Sequence, residues 1–173
     1  AALVDAVHVS YACGASTAMV PLSPQSFVAP ASGGASIVEV TGANGNWYAG
    51  RFAAGSTTAL CAQALVAVAR ILGGGKLRLR WISSGEGSSQ FKGLYAIIGS
   101  TATRGTDPSA TDQGTVTKAS GGAGILNETV IVIPYVAVGT GANEILYKIQ
   151  RQSGDDIPAN VDIIDAWWEF LPK

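Results

Sequence analysis

The chain has 173 residues, a single-domain length that can hold one sizeable core without metal or disulfide support. Only 13% of residues are charged and 47% are hydrophobic, which excludes charge-driven disorder and a long solvated helix or coiled coil. The balance of 11 Lys+Arg against 12 Asp+Glu leaves no basic footprint for nucleic acid, and so few charges leave little to keep the chain soluble and alone.

The first segment, Val7 to Tyr11, reads as a weak strand that carries His8, the only histidine. A Ser-His-Asp or Cys-His site would have to use His8, and nothing local supports one. Tyr11 to Ser36 is small, polar and punctuated by Pro21, Pro24 and Pro30. Prolines deny a segment a central strand, so residues 1–35 are expected to be an N-terminal strand and extended arm, and residues 36–173 the main domain. Ser36 to Thr41 and Trp47 to Phe52 read as strands separated by the turn residues Gly42 to Asn46. Ala59 to Leu72 is ambiguous: its Ala and Leu favour a helix, while Leu65-Val66-Ala67-Val68 before Gly73-Gly74-Gly75 suits a strand. This stretch contains Gln63 and Arg70 and is too short to span a bilayer. The N-terminus lacks the basic start and apolar run of a secretory signal, and the chain is expected to be soluble.

Alternation is clearest further on. In Lys76 to Trp81 the basic residues share one face, and Leu77, Leu79 and Trp81 the other. Thr129 to Ile133 is β-branched throughout and reads as a central strand. In Glu144 to Gln150 the inward set is Ile145, Tyr147 and Ile149. In Ile164 to Phe170 it is Ile164, Ala166, Trp168 and Phe170, leaving Trp167 outward with Asp165 and Glu169. Short strands separated by Gly-rich turns are the pattern of an all-β sandwich or barrel.

Chemical motifs are sparse. There is no GxSxG, P-loop, HExxH or GxGxxG opening a helix, and Gly73 to Gly75 precede a strand, where no helix N-terminus can hold phosphate. Cys13 and Cys61 read as two buried thiols, or as one bridge if the chain matures in an oxidising place. Asp155, Asp156, Asp162 and Asp165 could hold calcium at the end of a sandwich, but they match no EF-hand spacing. The alternative is that these acids pair with Arg151 and cap turns. No catalytic residue, cofactor or metal is assigned from the sequence.

From about Ala59 to the C-terminus the order of elements resembles the jelly-roll domains of tailed-bacteriophage virion proteins. An apolar strand and Gly turn lead to a strand ending Trp81-Ile82-Ser83-Ser84, then to a Gly-rich hairpin, Gly85 to Ser89, and Phe91 to Ile98. A polar loop, Gly99 to Gly114, precedes Thr115-Val116-Thr117 and Asn127 to Ile133. The end is the most characteristic part: a strand finishing in Arg151, an Asp-rich loop, Asp162-Ile163-Ile164 and the aromatic close Phe170. The resemblance implies an antiparallel jelly-roll β-sandwich of eight strands with additional N-terminal strands or an arm, and it tips Ala59 to Leu72 towards a strand. It also implies a non-enzymatic virion protein, first of all a capsid decoration or cement protein on the capsid surface. Such a protein would be made in the host cytoplasm. Its partners would be the major capsid protein and copies of itself, as a dimer or trimer, with no nucleic acid and no membrane. Trp167, Trp47, Pro21, Pro24, Phe27 and Pro30 are the expected contact residues. The alternative is a tail-fibre or receptor-binding jelly roll that recognises a host surface glycan or protein. A third reading is a free-standing lectin, carbohydrate-binding module or small glycosidase.

Overall fold

A computed structural model describes residues 18–30, 32–42, 45–65, 75–99, 111–133 and 142–170. Ten strands run through them: β1 (Ala18–Leu22), β2 (Ser36–Gly42), β3 (Gly45–Phe52), β4 (Thr58–Leu65), β5 (Gly75–Ser83), β6 (Ser88–Gly99), β7 (Thr111–Ala119), β8 (Asn127–Ile133), β9 (Ala142–Arg151) and β10 (Val161–Phe170). They form two antiparallel sheets. One is ordered β2-β3-β10-β5-β8, with β1 also on β10, and the other β4-β9-β6-β7. Successive strands alternate between the sheets from β3 onwards, except at the β6–β7 hairpin. The alternation and turn spacing predict an all-β sandwich or barrel, and the two sheets take the double-sheet jelly-roll form that the resemblance implies.

The two inner faces share one core. Leu77, Leu79 and Trp81 of β5 alternate inward as expected, facing Phe91 and Tyr147 of the other sheet's strands. Phe52, Phe91 and Trp81 meet edge to face, with centroids 5.9 and 6.0 Å apart, the arrangement that ring quadrupoles favour. The Trp81 indole N–H donates to Thr129 Oγ1 at 2.9 Å, so this buried ring carries no unpaired donor. Part of the ambiguous Ala59–Leu72 run is settled as strand β4, with Leu60 fully buried. Residues 66–72 lie outside the described residues, as do His8, Cys13 and the Val7–Tyr11 strand.

Thr129 to Ile133 forms a strand, but not the central one expected: among the described residues β8 bonds only to β5, at the edge of its sheet, and Val132 is exposed. Two further expectations need correction. The pairing of β10 slips between Ile163 and Asp165. A bulge there puts two residues opposite one and reverses the alternation. The buried set is therefore Val161 and Ile163 before the bulge and Ala166 and Trp168 after it, with Ile164 only half-buried. The bulge also marks where β10 changes neighbour on one edge: Val161 to Ile163 pair with β3, and Ala166 to Phe170 with β1.

The second correction concerns the arm. From Ala18 onwards the segment is sewn into the sandwich. β1 lies on β10, and Pro21 is tolerated because β1 pairs with only one strand among the described residues. A short 3₁₀ turn, Pro24–Ser26, follows, with Ser23 Oγ accepting from the Gln25 N–H. Phe27 then enters the core at 4% exposure, against the side of β3 where Gly50 faces Leu60. Val28 exchanges two backbone hydrogen bonds with Cys61 of the opposite sheet, and Gly33 and Ala35 bond to Ala59. Leu22, Phe27 and Ala35 are core residues, so this stretch cannot lace over a neighbouring subunit without opening its own sandwich.

Candidate functional site

Strands β3, β5, β7 and β9 all finish at one end of the sandwich, where four loops meet. Residues 53–57, 84–87, 120–126 and 152–160 are joined by Ala54 N–H to Asn160 Oδ1, Gly124 N–H to the Ser83 carbonyl, Ser120 N–H to the Gly87 carbonyl and Gln152 N–H to the Gln90 carbonyl. Loops held this way place their side chains on a rigid base, the usual setting for binding groups.

The last of these loops is organised by a buried arginine. Period two continues through Tyr147 and Ile149 to Arg151, which therefore points into the core and is 0% exposed. A guanidinium has five N–H donors. Here Nε and Nη2 donate to the Asp155 carboxylate, Nη2 also to the Ile157 carbonyl at 2.8 Å, and Nη1 to the Phe52 and Ala159 carbonyls at 3.1 and 2.8 Å. All five donors are used, and the loop is wound around them. Asp155 is itself buried, with a side chain 1% exposed.

Above this hub, at the edge of the outer face of the six-stranded sheet, lies an open cleft of about 420 Å³. Its base is Ile82 with Arg51 and Asp162, which face outward from adjacent strands. Its walls are Ser83 and Ser84, the small residues Ala123 and Gly124, and Asn160. Arg51 meets Asp162 side-on, Nε to Oδ1 at 2.8 Å and Nη2 to Oδ2 at 2.7 Å. Those hydrogen bonds hold the Arg51 guanidinium above its usual range, against the opposing cost of burial. The partners are unequally exposed: the Arg51 side chain keeps 39% of its surface in solvent and Asp162 only 12%. Asn160 is fixed by its main chain, whose carbonyl accepts from Ser83 Oγ at 3.0 Å, and by Oδ1, which accepts from Ala54 N–H. Its Nδ2 has no acceptor among the described residues, and neither has Nη1 of Arg51.

The contact residues expected from sequence are only partly brought together. Trp167 faces outward and is half-buried, with the exposed Pro21 opposite it on β1. The Arg80 guanidinium lies 4.8 Å from its ring centroid, a cation–π contact that covers one face. Arg78, bonded to both Glu169 and Glu128, fixes the charges beside it. Trp47 is exposed on the β2–β3 hairpin, facing Val40, and Pro24 and Pro30 are half-buried. Phe27 is a core residue and leaves the set. The acidic quartet is dispersed as well: Asp155 pairs with Arg151, Asp156 accepts the Ser88 N–H, Asp162 pairs with Arg51, and Asp165 is exposed on β10. Among the described residues no three His, Cys, Asp or Glu side chains are placed to share a cation.

Sequence reasoning missed Arg51, Asn160 and Ser84. Alternation in β3 does put Arg51 on the outward face with Trp47. Its partner lies 111 residues away, and no local pattern announces that pairing.

No family model and no curated protein matches the sequence. Solved structures match it in fold. The CBM36-1 domain of a multidomain xylanase, from the hindgut metagenome of Trinervitermes trinervoides, superposes with a TM-score of 0.51 at 14% identity, over 89% of this chain and 96% of that one. CBM28, a carbohydrate-binding module specific for non-crystalline cellulose, gives 0.50 at 8% identity over 86% and 89%. An arabinose-bound α-L-arabinofuranosidase, MgGH51, gives 0.51 at 8% identity over 87% of this chain and 24% of the enzyme. At such identities the likeness is one of fold. The expectation of a capsid decoration or cement protein is corrected here: the two domains above that match over nearly their whole length are carbohydrate-binding modules and not virion proteins. The physical basis of that expectation falls too, since the lacing arm is, from Ala18, part of the domain's own core.

Proposed function

We propose that this chain is a non-catalytic glycan-binding module and that a sugar unit of its ligand seats in the cleft between Arg51, Asn160 and Ala123. The observation that carries the reading is the cleft itself: planar polar side chains fixed by the protein, with donors left over, around a half-buried apolar floor. Pockets of about 300–1,000 Å³ suit small ligands, and 420 Å³ lies in that range. Sugar rings offer hydroxyls around their edge and C–H groups on their faces. Asn160 and Ser84 would meet the first, Ile82 the second. The carbohydrate-binding modules of similar fold favour the same class of ligand. Of the alternatives raised by the sequence, the branch that recognises a glycan is the one carried forward.

A binding role also suits the carboxylates. Glycosidases work with two carboxyl groups across the scissile bond. Among the described residues Asp162 is the one acid in the lining of this cleft, and it is committed to Arg51.

Affinity electrophoresis through gels holding soluble polysaccharides, followed by calorimetry on oligosaccharides of the retarding ones, tests the reading. Ala123→Trp fills the cleft from an exposed turn. It should leave the melting temperature unchanged and lower affinity at least about tenfold, or 1.4 kcal/mol. Retardation by no polysaccharide, or full affinity in the Trp variant, refutes the proposal.

A further inference from the structure

We infer that the sugar this cleft selects is an acidic one, a hexuronate whose carboxylate is gripped by the free end of Arg51. The inference rests on the glycan-binding reading and names the ligand class of the same site.

The argument is one of donor geometry. A guanidinium has a side edge, Nε with Nη2, and an end edge, Nη1 with Nη2, and each matches a carboxylate bidentately. Asp162 occupies the side edge, through Nε to Oδ1 and Nη2 to Oδ2. Three N–H donors remain: one each on Nη1 and Nη2 along the end edge, and the second on Nη1, which points back beside the stem. Among the described residues they meet no acceptor, and the side chain that carries them lines the cleft with 39% of its surface in solvent. Asp162 therefore aims the guanidinium, so that little side-chain freedom remains to be lost when a second carboxylate arrives.

The surroundings favour an acceptor-rich ligand. Asp162 is the sole negative charge among the described lining residues and is less exposed than Arg51, so the positive end of the pair faces the opening. The uncommitted amide nitrogen of Asn160 adds two donors, and the Ser84 hydroxyl can donate to a ring oxygen or hydroxyl. A neutral hexose would leave the end fork of Arg51 to water. A uronate would fill it.

Calorimetry on the full chain decides this with three probes: a galacturonate or glucuronate trisaccharide, the same trisaccharide with its carboxyls reduced to alcohols, and acetate. The uronate should bind at least about tenfold more tightly than the reduced sugar, and the preference should shrink as salt is raised. Acetate should be weaker still, since it cannot use Asn160, Ser84 or the apolar floor. In Arg51→Lys the charge remains but the planar fork that serves two carboxylates bidentately is lost, so the preference for uronate over reduced sugar should fall below about threefold. Should that variant melt early, the preference of the unaltered chain and NMR shifts of the Arg51 and Asn160 side chains on titration decide alone. Equal affinity for uronate and reduced sugar, acetate as tight as uronate, or a preference that survives in Arg51→Lys each overturns the inference and leaves the glycan reading intact. Binding of neither sugar, to a chain that no polysaccharide retards, removes both.

Discussion

Replacing Arg151 with Met is the sharpest test of how the cleft is held. Met keeps most of the apolar stem and removes the five donors. The change strands the Asp155 carboxylate, whose side chain is 1% exposed, together with the carbonyls of Phe52, Ile157 and Ala159. Breaking a buried ion pair by deleting one partner costs about 3–5 kcal/mol, and buried acceptors left unpaired cost about 1 kcal/mol each where water cannot reach them. Some carbonyls will find water as the loop opens, so the expected loss is about 4–7 kcal/mol. Domains of this size are stable by about 5–15 kcal/mol, so the variant should fold marginally or fail at moderate temperature. Urea denaturation measures the loss. The double variant Arg151→Met with Asp155→Asn should regain about 2 kcal/mol, because the stranded charge is then gone. A loss below about 1 kcal/mol in the single variant, or no recovery in the double one, would refute the view that this loop is wound on its arginine.

Two further outcomes follow from other parts of the core. Tyr147 is buried and its hydroxyl finds no partner among the described residues, and burial raises its pKa well above the ordinary value, with Tyr95 adding to the shift. Because the folded state keeps the proton that the unfolded state loses near pH 10, stability should be flat below that pH and fall above it, by up to about 1.4 kcal/mol per unit from this residue. Tyr147→Phe should flatten that fall and cost little at pH 7, as measured by denaturation at pH 7 and 11. Gly75→Ala should cost about 1–3 kcal/mol, since the added methyl would stand 2.5 Å from the Glu169 carbonyl oxygen, a backbone atom that cannot swing aside. A melting temperature within a degree of the parent's would remove that steric account.

Most of the sandwich was legible because its signals are local. The alternation of Leu77, Leu79 and Trp81 and the β-branched run Thr129 to Ile133 each act within a few residues, and each became a strand, although Thr129 to Ile133 stands at a sheet edge among the described strands and not at the centre its composition suggested. The last strand was misread at one point, since a bulge is a matter of pairing between strands and Ile164 looks the same with or without it. The Pro-rich segment was misread for a related reason. Its prolines do exclude a central strand, but Leu22, Phe27 and Ala35 fill space left by distant strands, and only the assembled core shows that space. The cleft was the least legible part. Arg51, Ser84 and Asn160 come from three separate loops or strand ends and form no motif. Arg151 and Asp155 were visible as a possible pair, but not as a saturated buried hub.

The position of β10 has a consequence for how the chain acquires its shape. Three strands of the larger sheet, β1, β3 and β5, bond to β10. Without Val161 to Phe170, β5 would keep only β8, β3 only β2, and β1 nothing among the described residues. The larger sheet therefore cannot close during synthesis until the ribosome has released those ten residues, and the early hairpins must wait with unpaired edges. Long-range closure of this kind makes folding slow. Exposed edges awaiting a late strand are where chains pair with one another instead. Aggregation during expression, and its relief when synthesis is slowed by cold, would therefore trace to the delay before β10 arrives and not to a weak native state.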